Sequence, residues 1–195
     1  MLPGRKQFTF YLSRLKGLLL APGREWEVIR DERPGGVRLL RGFIVSPCAC
    51  LSLAAILLRW ATAGSLPVAF LWGLINFLAC VIGYYITFRV TRRVLEPEVD
   101  RAGHVAFQLV TYTFAVYLIF RSLSAGFPPR SIAGELMAVL SLYSLYTLYT
   151  GASTVATLSA ARKQNVCIIA GAAVAALPFF IARLLALAFR VPIVI

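Results

Sequence analysis

Five long apolar runs divide this chain, and most of its charged residues collect between them. The runs cover residues 42–58, 66–88, 105–120, 132–149 and 166–189. A helix needs about 20 apolar residues to cross a bilayer, so each run predicts a transmembrane helix. The third is the shortest; the pattern predicts either an extension to Leu123 or a local distortion of the bilayer. Pro47 in the first run predicts a kink. Ahead of the runs, Phe8, Tyr11, Leu12, Leu15, Leu18 and Leu19 recur at the spacing of one helix face. That spacing predicts an amphipathic helix over 8–19, lying in the plane of the cytoplasmic leaflet or packed on the cytoplasmic end of the bundle. Pro22 breaks the chain, and 23–32 predicts a short mixed-charge helix with Trp26 and Ile29 on one side, ended by Pro34-Gly35-Gly36. The expected fold is all-α: a cytoplasmic N-terminal segment over 1–41 with an amphipathic helix, then a five-helix transmembrane bundle over 42–195.

The stretch Ser141–Gly151, SLYSLYTLYTG, reads as the second half of the fourth span. Its serines and threonines allow helix backbones to approach closely, and its tyrosines carry a hydroxyl on an apolar body. A three-residue period does not match a 3.6-residue turn, so Tyr143, Tyr146 and Tyr149 drift around the helix surface. Nothing in the pattern says which face is buried.

Composition places the chain in lipid. Of its 195 residues 59% are hydrophobic and 14% charged, an apolar excess that one small core cannot hide. A net charge of +12 raises the question of nucleic acid, but the cations flank the apolar runs, which is a topology signal and not a groove-binding patch. Fifteen Lys and Arg fall on one side of the five-span arrangement and four on the other. The expected topology has a cytoplasmic N-terminus and an external C-terminus. Residues 1–20 have spaced apolar positions and no small-residue cleavage site, so the first apolar span is expected to serve as the insertion signal. Cys48, Cys50, Cys80 and Cys167 lack metal-ligand spacing and read as small hydrophobes.

Within the spans the strongest polar candidates are Glu135 and Arg183, whose depths match an ion pair between the fourth and fifth helices. Asn76 and Gln108 are amides inside spans two and three, suited to bonds between helices or to a polar path. Tyr112, Tyr143 and Tyr146 are further candidates for polar contacts in the bundle. Trp26, Arg14 and Lys16 are candidates for membrane or partner docking at the cytoplasmic side. His104 stands alone, and the Glu96-Pro97-Glu98-Val99-Asp100 patch reads as a solvated turn. No acid, base and nucleophile set assembles at plausible depth, so neither catalysis nor a cofactor or metal site is expected.

Five stretches together resemble the YIP family, in its short bacterial form. They are LLLAPGREWEVI with Pro22 and Trp26, RGFIVSP with Pro47, Tyr85-Ile86-Thr87, AFQLVTYT with Gln108 and Tyr112, and LYSLYTLYTG with Tyr143, Tyr146 and Gly151. The resemblance implies a five-helix membrane fold, a cytoplasmic N-terminus and no known catalytic residues. Eukaryotic members are linked to vesicle traffic and Rab GTPases. This chain lacks their D-L-Y-G-P motif and long N-terminal domain, so Rab binding does not carry over. The expected role is a non-enzymatic protein that organises protein partners or lipids, with anionic headgroups at its basic side. The alternative is a small transporter or channel with a polar path between spans two, three and four, supported by homo-oligomerisation.

Overall fold

A computed structural model of the chain describes residues 3–31, 36–63, 65–97, 99, 101–125, 131–156 and 158–190. All regular structure among them is helical. Two helices lead: α1 (Pro3–Leu20) and α2 (Pro22–Asp31). A single turn, α3 (Gly36–Leu39), continues through a π-helical segment, Leu40–Val45, into α4 (Ser46–Ala63). Then come α5 (Leu66–Leu95), α6 (Ala102–Ala125), α7 (Ile132–Leu140), α8 (Tyr143–Val155) and α9 (Ala160–Ala188). Five stretches are long and apolar enough to cross a membrane: Leu40–Ala61, Leu66–Leu95, Ala102–Arg121, Ile132–Val155 and Ala160–Ala188.

The π-helical segment explains how the first span tolerates Pro47. Proline has no N–H to offer the carbonyl one turn before it. The chain widens there: the Ser46 backbone N–H reaches the carbonyl of Arg41, five residues back, and the Ser46 hydroxyl donates to the same oxygen at 2.9 Å. Pro47 then sits in the first turn of α4, where its missing donor is harmless.

The third span is not short. α6 has 24 residues, about 36 Å of helix, and Arg121 ends the apolar run without ending the helix. It is also the centre of the bundle. Of its most apolar stretch 72% is buried, against 28–33% in the other four. Helices α1, α4, α5, α7, α8 and α9 all pack on it. Central position permits polar side chains, because protein rather than lipid surrounds them; Gln108, Thr111 and Thr113 are buried there. The Thr111 hydroxyl pairs with the Tyr84 hydroxyl at 2.9 Å, joining α6 to α5. The outer helices turn Leu53, Leu57, Phe70, Leu136, Ile168 and Leu184 outward. These exposed side chains form the lipid-facing surface that the composition requires.

The fourth span is broken. α7 stops at Leu140, and α8 restarts at Tyr143. Across the break the N–H groups of Leu142, Ser144 and Leu145 bond to carbonyls three residues back. The Ser141 hydroxyl takes the Ala138 carbonyl at 2.6 Å, competing with the helical ladder. The Ser141–Gly151 stretch is therefore mostly a separate helix. Its buried face is Ser144, Thr147, Leu148, Gly151 and Ala152, while Tyr146 and Tyr149 point outward.

Candidate functional site

The N-terminal helices are built into the bundle. On α2, Pro22, Trp26 and Ile29 are buried, the i, i+4, i+7 face of a helix. That face lies on α8. Trp26 is completely buried, and its indole N–H donates to the Thr147 carbonyl at 2.9 Å. Gly151 makes this contact possible, since any Cβ there would collide with the Trp26 ring and Leu109. Gln108 of α6 is 1% exposed and donates to the Ile29 carbonyl at 3.1 Å. That carbonyl belongs to the last turn of α2, where no intrahelical donor serves it. Tyr143 of α8 donates in the same way to the Leu19 carbonyl, in the last turn of α1, at 3.0 Å.

An aromatic ladder runs through the junction. Phe10, Tyr11, Phe43, Tyr112 and Trp26 meet edge to face in succession, with ring centroids 5.7, 4.9, 4.9 and 5.8 Å apart. It links α1, the π-helical segment, α6 and α2. Each such pair adds about 0.5–1.5 kcal/mol beyond its buried area. Tyr11 occupies the space left by the missing side chain of Gly42. The ladder is scattered over a hundred residues of sequence, so no local pattern announces it.

Of the three docking candidates, only Lys16 is exposed. Trp26 lies in the core. Arg14 turns inward, where it pairs with Glu25 at 2.5 Å and lies over the Phe10 ring. α1 uses Leu18, Tyr11, Leu15 and Leu19 against the bundle and leaves Leu12 and Leu20 outside. It is thus packed on the bundle; the side chain of Phe8 lies outside the described residues.

The basic loops meet at one end, where α4 begins, α5 ends, α6 begins, α8 ends and α9 begins. Arg41, Arg89, Arg93 and Arg101 are exposed there, and Lys16 and Arg24 are exposed on the docked helix pair. Arg162 is used structurally: its Nε and Nη2 reach the Val94 carbonyl at 3.1 and 2.8 Å, capping the end of α5 with a cation. His104 is exposed at the start of α6. Of the acidic patch, Glu96 pairs with Arg92 at 3.0 Å, while Glu98 and Asp100 lie outside the described residues.

Glu135 and Arg183 are not brought together. Among the described residues no ion pair joins them. α7 packs on α6, whereas α9 packs chiefly on α5. Glu135 is exposed on the first turn of α7, and Arg183 lies over the Phe179 ring at 5.2 Å. Matching depth is not enough; two residues on a bundle also need facing sides, and the helix order decides that.

Arg183 instead faces a cavity of roughly 180 Å³ between α4, α5, α6 and α9, in the half of the bundle away from the basic loops. Its polar lining includes Trp72, Asn76, Tyr117 and Arg121. The Asn76 amide donates to the Trp72 carbonyl of its own helix at 3.1 Å. The Trp72 indole N–H is buried with no hydrogen-bond partner among the described residues. Arg59 lies over the Trp72 ring at 4.5 Å. Sequence reasoning missed Arg121, Tyr117 and Trp72 as a group; Arg121 at the end of an apolar run reads as a loop charge.

The polar side chains inside the bundle do not line one route. Asn76 bonds within α5, Gln108 bonds to α2, and Tyr143 bonds to α1. Tyr112 is buried in the aromatic ladder, and Tyr146 is half exposed on α8. Among the described residues no group of three or more His, Cys, Asp and Glu side chains is placed to hold a metal ion.

No curated protein and no solved structure matches the chain. The family model of the Yip1 domain matches residues 16–190, which takes in all five spans, α2 and the end of α1. The protein is a multi-pass membrane protein, and it belongs to the Yip1-domain family.

Proposed function

We propose that the protein is a non-enzymatic organiser of the membrane, whose basic end gathers anionic phospholipid headgroups in the cytoplasmic leaflet. The observation that carries this reading is the set of exposed cations Lys16, Arg24, Arg41, Arg89, Arg93 and Arg101 on the docked helices and the basic loops. Near an anionic surface each Lys or Arg contributes about 1 kcal/mol of attraction. The same asymmetry of loop charge supports a cytoplasmic N-terminus. The docked α1–α2 pair adds to the reading, because a rigid attachment holds its cations at a set place relative to the spans. A solute path receives less support, since the interior polar groups are bound to different helices.

The test is photo-crosslinking in native membranes from photoreactive residues placed at Lys16 and Arg93. Capture of anionic over zwitterionic phospholipid at both positions is expected. Replacing Arg89, Arg93 and Arg101 with Gln should abolish the preference at Lys16. Equal capture of both lipid classes would overturn the reading, as would protein-dependent solute flux in vesicles.

A further inference from the structure

Arg121 and Arg183 line one cavity, and no Asp or Glu is among the described residues lining it. Arg121 is four residues from the end of α6, and Arg183 five from the end of α9. At 1.5 Å per residue both lie within about 6–8 Å of their helix ends, Arg121 at the edge of its apolar span and Arg183 within its own. Like charges so placed are costly unless something shares them. Arginine is held charged and presents a planar fork that fits phosphate or carboxylate oxygens. Neutral donors stand beside the two cations. The Trp72 indole N–H is buried without a partner, and the Asn76 amide and Tyr117 hydroxyl complete the polar lining. A buried orphan donor next to two cations describes a site for an anion.

The geometry points to an oxyanion-binding site between α4, α5, α6 and α9, taking a phosphate group carried by a phospholipid or free in solution. The cavity of roughly 180 Å³ has room for a phosphate and a few waters, which occupy about 30 Å³ each, and not for acyl chains. A lipid would place only its headgroup there. The site lies at the opposite end of the spans from the exposed basic loops, and does not depend on the function proposed for them.

The full-length protein, purified in a zwitterionic detergent, is titrated separately with phosphatidylglycerol and with inorganic phosphate, and binding is read by native mass spectrometry. The double variant Arg121→Gln/Arg183→Gln is expected to weaken at least one probe tenfold or more. Weakening of phosphatidylglycerol assigns a lipid headgroup; weakening of inorganic phosphate alone assigns a free anion. Arg190→Gln removes an exposed cation at the same end of the spans that does not line the cavity, and should leave the affected probe's binding unchanged. If neither probe is weakened by the double variant, the site is refuted. Should that variant not remain monodisperse, Trp72→Phe removes only the orphan donor and keeps both charges. A severalfold loss is expected from it, and unchanged binding of both probes would refute the site equally.

Discussion

Trp26 and Thr147 are 121 residues apart in the chain and 2.9 Å apart in the fold, joined by the indole N–H and a main-chain carbonyl. The bond fixes α2 to the second half of a broken span. Thr147 also receives the Thr150 hydroxyl on the same carbonyl at 2.9 Å, so the oxygen is well supplied.

That detail separates two substitutions at one position. Trp26→Phe keeps a ring and removes one donor from an acceptor that has another, and should lower stability by about 1 kcal/mol. Trp26→Ala empties a fully buried site at the end of the aromatic ladder, and should lower it by about 3–5 kcal/mol. Thermal unfolding of the two variants in detergent, followed by tryptophan-independent light scattering, gives the comparison. Equal effects would mean that the bond, rather than the packing, holds α2.

Gly151 is the other half of this contact. A methyl group there would lie 2.5 Å from the Trp26 ring and 2.9 Å from Leu109. Gly151→Ala should therefore destabilise by about 1–3 kcal/mol through overpacking, although alanine is the better helix former. Combined with Trp26→Leu the penalty should shrink, with a coupling of about 0.5–3 kcal/mol in a double-mutant cycle. Strict additivity would show that the two sites do not share a contact.

Gln108→Leu keeps the approximate shape of the side chain and withdraws the donor from the Ile29 carbonyl. The loss is about 1–3 kcal/mol, and it should appear locally as opening of α2. Limited trypsin digestion provides the readout: cleavage at Arg24 and Arg30, both exposed on α2, should speed up severalfold. Unchanged digestion at those two bonds would contradict the capping role.

Glu135→Gln should change stability by no more than about 0.5 kcal/mol, as substitutions at exposed positions usually do. The sequence reading of a Glu135–Arg183 pair demands the contrary: breaking a buried pair costs about 3–5 kcal/mol. A melting temperature within about a degree of wild type agrees with the structure, while a large drop restores the pair.

Particular residues show where sequence reading ended. Trp26 and Ile29 were readable as one face of α2, yet the face reads the same whether it meets headgroups, a partner or the bundle itself. Arg121 ended an apolar run and so marked a boundary, but α6 continues past it to Ala125, and Arg121 lines a cavity between helices. The break at Ser141 has no proline or glycine to announce it. It depends on a serine hydroxyl taking the Ala138 carbonyl, a choice that serine leaves open in most membrane helices.

The sequence by itself determined the class of the protein. Apolar runs of spanning length, one amphipathic face, cations crowded into alternate loops and five family-like stretches are all local properties, set by residues near one another in the chain. Tertiary structure alone decided that α6 is central, that Trp26 is core, that Gln108 and Tyr143 cap α2 and α1, and that Arg183 shares a cavity lining with Arg121 rather than a pair with Glu135. The physical reason lies in the solvent. In water, an apolar face marks what is buried; in a bilayer, lipid and protein interior are both apolar, so hydrophobic pattern separates the membrane from water but not one helix face from another.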